Sequence, residues 1–530
     1  MAPQTTAVLV AYLDQDNLGI GYLAAVLLER GHRPVIVDYR TGPETILATI
    51  RRENPVVVGF SIIFQYFTPH FRKLMEYLRS NGVECHFTAG GHYPSLNDRE
   101  TLGSTPELNS VVRFEGEYTF LELVETLARG GEWSRIPGLA CRVNGDIVEG
   151  ALRPLEPDLD NFPIPVRGPV RPERMGQKEA TLLAGRGCLY NCSFCSIRQF
   201  YSGAPGPLKR IRRPEMVARE MELLHQELGC SIFLFQDDDF PGAARNGEAW
   251  AASFCQSLRE RGLQNRLLWK ISCRADEVEA ARFSRMRDAG LFLAYLGIES
   301  GTDSGLKLMN KHLGVETNVL AVETLRRLGL ACEFGFMLFD PLSTMESIRG
   351  NLDFLDRICG DGYAPVTACK MIPYGGTAVE EFLRRAGRLK VWGEYEDYDF
   401  LDPAVEELYG WFAGTFVEWL QGPEGILSSS RFARYALAIE NRLAAPEARC
   451  GVTEAEVTDA MVAANRLFTS SIREAAALCE ASPGAAGAEL DRLGQRVRGE
   501  EAALEERFRV LIGRVERGGG RALRAAMSNG

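Results

Sequence analysis

The stretch Leu182–Ile197, LLAGRGCLYNCSFCSI, decides how the chain is read. It opens as an apolar strand, turns through Gly185 and Gly187, and places Cys188, Cys192 and Cys195 on one loop in a Cys-x3-Cys-x2-Cys spacing. Three thiolates so close together can converge on a compact iron–sulfur cube. A [4Fe–4S] cluster ordinarily takes four cysteines, so a local triplet leaves one iron open, as an unfilled position does in catalytic metal sites. An open iron can chelate a ligand that presents both an amino and a carboxylate group. The competing reading is a structural zinc site, which wants a fourth ligand. Cys230 and His225 are the nearest downstream, in a helical setting.

Working outward, residues 179–400 alternate strands with helical patterns. The strands are ATLLAG, SIFLFQDDD, LLWKISCR, AYLGIES, CEFGFMLF and PVTACKMIP. Six strand–helix units predict a partial, TIM-like (β/α)6 barrel with its working groups at the strand C-termini. Asp237, Asp238 and Asp239 end the second strand; Ser272 and Arg274 end the third; Gly297 and Glu299 end the fourth. Clustered carboxylates repel one another, so a cationic ligand explains the aspartates where fold stability does not, with a solvated loop as the alternative. Arg274 is placed to clamp a carboxylate in bidentate fashion, or is a surface arginine. Cys369, in the last strand, faces either the pocket or the outer helices.

Residues 1–150 hold five strands, TAVLVAY, PVIVDY, VVVGFSII, CHFTAGG and SVVRFEGE, separated by amphipathic helical stretches. This predicts a flavodoxin-like, doubly wound (Rossmann-like) α/β domain, closed by a hairpin turning on Asn144-Gly145. Gly19-Ile20-Gly21-Tyr22-Leu23-Ala24, with Asp38 closing the next strand, matches a dinucleotide fingerprint. Against that, LDQDNL separates the strand from Gly19, and Asp14 and Asp16 would repel a pyrophosphate. Residues 151–178 form a Pro-rich linker, and residues 401–530 a helical domain whose Trp411 and Trp419 either pack in its core or close a pocket.

The net charge of -11 argues against nucleic acid as a partner. No apolar stretch is long enough for a membrane span and the N-terminus does not read as a signal peptide, so a cytoplasmic location is expected. Thirteen scattered cysteines then read as reduced thiols.

The cysteine loop resembles the signature of the radical S-adenosylmethionine (SAM) superfamily, including Phe194 before the last cysteine. The resemblance extends to Asp237–Asp239 as the motif for the SAM amine, and to Gly297 and Glu299 in the Gly-Ile-Glu-Ser motif. Arg212 and Arg213 resemble the segment that opens the first long helix, where anchoring is the expected role. Two turns depart from the pattern: FDPLST at 339–344 and PYGGT at 373–377. Both lie on the substrate side and weaken any transfer of substrate identity.

The N-terminal domain is similar to the cobalamin-binding domains attached to such enzymes. The likeness rests on Asn17, Leu18, Gly19, Gly21 and Tyr22; on Gly59 and Ser61; on Ala89, Gly90, Gly91 and His92; and on Glu115, Gly116 and Glu117. Small residues at strand ends would let the backbone approach a corrin. Asp16 stands where mutase-type domains place a cobalt-ligating histidine, so cobalt is expected without that ligand. Gln65 and Tyr66 are candidates to cover its lower face.

The resemblance implies three cofactors, a [4Fe–4S] cluster, SAM and cobalamin. It further implies radical methylation of an unactivated carbon in a small-molecule or peptide natural-product intermediate, with an electron donor such as flavodoxin or ferredoxin. The alternatives are a non-methylating cyclase, ring-contracting enzyme or dehydrogenase, and a cobalamin-binding sensor with a degenerate catalytic domain.

Overall fold

The computed structural model describes residues 4–13, 16–168, 177–392, 395–443 and 451–528. Asp14 and part of the Pro-rich stretch therefore lie outside the described residues. The chain divides into two units. The first comprises residues 1–170, 185–213 and 373–397; the second comprises 171–184, 214–372 and 398–530.

In the first unit the strands Thr6–Ala11, Arg33–Asp38, Val57–Ser61, His86–Gly90 and Ser110–Val112 form a parallel sheet in the order second, first, third, fourth, fifth. That is the flavodoxin-like order, whose switch point lies between the first and third strands. A hairpin, Leu139–Val143 and Asp146–Glu149, extends the fifth edge antiparallel. Its turn residues Asn144 and Gly145 have φ of 53° and 91°, the paired left-handed geometry that favours Asn-Gly.

The helices Leu18–Glu29, Pro43–Glu53 and Thr68–Ser80 form where the amphipathic stretches lie. Phe71, Leu74 and Leu78 of the last bury against Val58, Phe60 and Phe87 of the sheet. Burying one such side chain is worth about 1.5–3 kcal/mol, so this face alone fixes the register of the helix.

Among its described residues the Pro-rich stretch forms one short 3-10 turn, Leu159–Asn161. Leu155 and Phe162 are buried, and Val166 N donates to Gly21 O at 3.0 Å. Two-residue strands, Gly185–Arg186 and Arg210–Ile211, pair antiparallel and bracket the cysteine loop. That loop runs into the helix Ile197–Ser202.

The second unit contains six parallel strands in sequential order: Lys178–Leu182, Cys230–Phe235, Leu268–Arg274, Leu291–Glu299, Ala331–Phe339 and Cys369–Lys370. The last is shorter than PVTACKMIP suggested, with pairings only at Met337–Cys369 and Phe339–Lys370. Among these strands Lys270, Ser272, Tyr295, Gly297, Glu299, Glu333 and Gly335 are half-buried, while their neighbours in sequence are buried. The period of two marks a sheet whose one face is sealed and whose other face lines the barrel interior.

Four C-terminal helices, Pro403–Gln421, Ile426–Leu443, Glu454–Ala481 and Gly487–Ser528, pack in the same unit. Trp419 is fully buried beside Phe416 and Phe468, and Trp411 Nε1 donates to Leu490 O at 2.9 Å. Both tryptophans thus serve the core of this helical region. Tyr435 and Ile439 pack with Leu268, Phe292 and Ile232 near the strand N-termini. Among the described residues no helix is long and apolar enough to cross a membrane.

Candidate active site

Within the first unit, the cysteine loop is anchored at both ends. Gly187 has φ of 84°, and a Cβ there would collide with the Leu208 carbonyl, so only glycine brings the chain into Cys188 along this path. Ser193 O accepts from Val379 N at 3.0 Å, and Cys195 N donates to Cys192 O at 3.2 Å. Cys188, Cys192 and Cys195 are all half-buried and none is in a disulfide; Phe194 between them is half-buried as well.

At the C-terminal edge of the first unit's sheet, Gly91 has φ of 114° and lies directly over the Ile62 carbonyl, where a Cβ has no room. Gly59 is held less tightly, by the side chains of Leu9 and Phe120, whereas Ser61 and Gly90 are half-buried at their strand ends and Ala89 is core. Beyond the third strand, Ile63 and Phe64 are exposed. Phe64 stacks on Tyr66 at 5.3 Å and tilts toward Tyr374 at 6.0 Å, making an aromatic shelf. Gln65 faces inward instead: its Oε1 accepts from Gly375 N at 2.9 Å, so its amide is held by the chain.

His92 packs on Phe200 of the helix after the cysteine loop, ring centroids 4.3 Å apart. Burial pushes its pKa down to about 4, and its Nε2 has no hydrogen-bond partner among the described residues. An enclosed neutral imidazole with an open nitrogen suits a polar ligand atom.

Several residues expected to touch cobalamin do structural work. Asn17 caps the helix Leu18–Glu29, its side chain accepting from Ile20 N at 3.2 Å. Leu18 is buried and Gly19 exposed at that helix start. Gly21 gives space to the Val166 carbonyl, and Tyr22 lies under the Arg186 guanidinium. Gly116 packs on Val112. Glu115 and Glu117 are ion-paired with Arg186, at 2.9 and 2.8 Å. The sequence gives no signal for this pairing, since 69 to 71 residues separate the partners.

In the second unit the three aspartates separate by parity. Asp237 is buried and accepts from Ala184 N at 3.1 Å through either oxygen, and Asp239 is buried. Asp238 is exposed, together with Gln236, which sequence reasoning missed although the period of two points to it. Arg274 is not the open carboxylate clamp its position suggested. It is 7% exposed, its Nε donates to Asp276 at 2.9 Å and its Nη2 to Lys311 O at 2.6 Å. Ser272, two residues earlier, does face the half-open interior.

Glu299 has φ of 68°, and the ladder with the fifth strand shifts register between Gly297 and Glu299. Its carboxylate folds back over two glycines. A Cβ at Gly297 would meet Glu299 Oε1 at 2.9 Å, and one at Gly335 would meet Glu299 Oε2 at 3.1 Å and the Tyr295 hydroxyl at 2.9 Å. Burial raises the pKa of Glu299, against the opposing pull of Lys311 and Arg274.

Cys369 is exposed as a residue, but its thiol is turned into a part-buried contact, donating to Phe336 O at 3.4 Å. The nearby Glu299 adds to the effect of burial in holding that thiol up at about 12.

The residues present fit the groups that the fold calls for. An anchored loop of three half-buried thiols suits an iron–sulfur cluster. An aromatic shelf and glycine-lined strand ends suit a corrin, and a carboxylate over a two-glycine step suits SAM. Comparisons with known proteins agree: residues 4–124 match the B12 binding domain and residues 182–355 the Radical SAM superfamily. The chain is a radical SAM enzyme. It belongs to those that carry a cobalamin-binding domain, with a [4Fe–4S] cluster, SAM and cobalamin as cofactors.

Among its relatives is the uncharacterized methyltransferase PH0819 of Pyrococcus horikoshii. It is 28% identical over 399 residues, covering 73% of this chain and 83% of that protein. The anaerobic magnesium-protoporphyrin IX monomethyl ester cyclase of Rubrivivax gelatinosus is 27% identical over 410 residues, covering 73% and 69%. The fold is shared with the cobalamin-dependent S-adenosylmethionine radical enzyme OxsB, solved with aqua-cobalamin and S-adenosylmethionine bound. The TM-score is 0.69 at 17% identity, covering 100% of this chain and 81% of OxsB.

Proposed function

We propose that the chain is a radical methyltransferase that adds a methyl group to an unactivated carbon of a small molecule or peptide. The observation that carries this reading is the joining, in one chain, of a cysteine triplet with a corrin-type domain, as in the methyltransferase-named relative PH0819. When bound, the cluster with SAM supplies radical hydrogen abstraction, and cobalamin supplies a transferable methyl group.

The chain's own residues bind and orient these groups. Cys188, Cys192 and Cys195 would hold three irons. Asp238 would receive the SAM ammonium, and Glu299, over Gly297 and Gly335, the polar edge of the adenosyl half. Gly91, His92 and the shelf of Phe64, Tyr66 and Tyr374 would hold the corrin and its tail. An external one-electron donor, flavodoxin or ferredoxin in kind, completes the set.

A cyclase-type reaction without methylation is the second reading, favoured by the similarity to the Rubrivivax cyclase. Anaerobic incubation of reconstituted enzyme with SAM, reductant, cobalamin and candidate substrates separates the two. Methylation yields S-adenosylhomocysteine alongside 5′-deoxyadenosine; 5′-deoxyadenosine alone, with turnover, would replace methylation by the second reading.

A further inference from the structure

Lys311 has no role in any motif of the sequence, yet its setting is unusual. It is 2% exposed, and its Nζ donates to Gly297 O at 2.8 Å while standing 3.7 Å from Glu299 Oε1. A buried ammonium is costly unless carbonyls and carboxylates surround it, and here one of each does. Its own carbonyl accepts from Arg274 Nη2 at 2.6 Å, which fastens the loop to the end of the third barrel strand.

The backbone around it is left-handed in three places. Asn310 and His312, on either side of Lys311, have φ of 53° and 54°, and Glu299 has φ of 68°. Of the remaining left-handed non-glycine residues described, Asn54 ends a helix and Asn144 sits in a hairpin turn, where asparagine is at ease. Phe114 belongs to the other unit. Left-handed backbone at a glutamate and a histidine persists only where the surroundings hold it, and such strain gathers at ligand sites.

We infer that Lys311 is a positioning residue that fixes the Glu299 carboxylate, aimed across the Gly297–Gly335 step, for SAM. Gly297 serves this twice, by offering its carbonyl to Lys311 and by leaving room for the carboxylate. The inference rests on the assignment of Glu299 to SAM made above. The ionisable groups facing Glu299 are Lys311, Arg274 of the third barrel strand, Tyr295 of its own strand and Cys369 of the last. Lys311 and Arg274 are the cations of that set, and Lys311 contributes the larger effect.

The test is the affinity for SAM alone, measured by calorimetry on cluster- and cobalamin-loaded chain across pH 5–9. Wild type is compared with Glu299→Gln, Lys311→Met, Lys311→Arg and the double variant Glu299→Gln/Lys311→Met. Loss of a partner that orients a ligand-holding group typically costs about 10–100-fold in affinity. Lys311→Met is expected to weaken SAM in that range and to move the acid limb of binding to higher pH, because Glu299 protonates earlier without its cation. Lys311→Arg should recover most of the affinity, and the double variant should be no weaker than the weaker single.

Wild-type affinity and an unmoved acid limb in Lys311→Met, with Glu299→Gln weakened, would overturn the role of Lys311 and leave Glu299 in place. Wild-type affinity in Glu299→Gln would overturn the reading beneath it. If Lys311→Met does not fold, Lys311→Gln, which keeps a donor for Gly297 O and lacks the charge, takes its place with the same two outcomes.

Discussion

Arg186 Nη1 lies 2.9 Å from Glu115 Oε1, and this contact ties the entrance of the cysteine loop to the end of the fifth strand of the corrin-type sheet. The pair is part of a buried quartet. Arg186 Nη2 donates to Glu117 at 2.8 Å, and Arg210 donates through both Nη atoms to Glu115 at 2.8 Å. Arg186 also lies over the rings of Tyr22 and Phe162, 4.7 and 4.9 Å away. The residue two places ahead of the first cysteine is thereby fixed to the same body as Gly91 and His92.

Breaking one partner of such a quartet leaves an uncompensated buried charge, a loss of about 3–5 kcal/mol. Arg186→Met should therefore lower the melting temperature and yield reconstituted protein with reduced cluster absorbance, measured together by calorimetry and visible spectroscopy. The double variant Glu117→Gln/Arg186→Met should recover part of the stability, since it also removes the carboxylate that Arg186→Met leaves behind, while Glu115 keeps Arg210. Burial pushes the Glu115 pKa up, but Arg186 and Arg210 outweigh it and hold the carboxyl below its usual value. The stability it contributes is present above the unfolded carboxylate value and is lost as pH falls through the lower folded value. Wild type should lose stability in that acid range more steeply than Glu115→Gln does.

The aspartate triplet makes a second test, because its members sit in different places. Asp238→Ala should fold normally and bind SAM less tightly. Asp237→Ala strands the Ala184 amide, which costs about 1–3 kcal/mol, so it should melt lower. Equal melting temperatures for the two would contradict the geometry that places Asp237 against Ala184.

This contrast shows what was legible in the sequence. The strand at 230–235, its polar end and the carboxylate cluster could all be read from residue order, because apolar runs and strand ends are local properties. Which aspartate is displayed depended on the phase of the pleat. The contacts of Arg274 were hidden for a related reason: its partner carbonyl belongs to Lys311, brought near by a loop of left-handed residues that leaves no periodic mark. The parallel pairing in both sheets followed from the alternation of strands and helices. The Arg186 quartet did not, because ion pairs between distant segments have no signature in either one.

Gly91 offers a test of the corrin site that does not pass through the cluster. Its φ of 114° and the Ile62 carbonyl beneath it exclude any side chain. Gly91→Ala should cost about 1–3 kcal/mol from backbone strain and shift the start of the helix His92–Leu96. Titration with hydroxocobalamin should then show weakened binding in Gly91→Ala. The triple alanine variant at Cys188, Cys192 and Cys195 should lose cluster absorbance and still bind cobalamin.

Glu501 gives a prediction remote from the cofactors. It is 5% exposed in the last helix, its Oε1 has no hydrogen-bond partner among the described residues, and burial, with Glu505 and Glu418 nearby, raises its pKa to about 7. A carboxyl raised in this way favours the folded state fully below the unfolded value near 4.5, and that contribution is lost as pH rises through about 7. Stability should therefore fall between pH 5 and pH 8 for this reason. Glu501→Gln keeps the shape and removes the charge. The variant should melt higher than wild type at pH 8, by an amount corresponding to about 1–3 kcal/mol, and nearly together with it at pH 5. A gain of equal size at both pH values would show that it does not come from ionisation of Glu501, and would overturn the raised value.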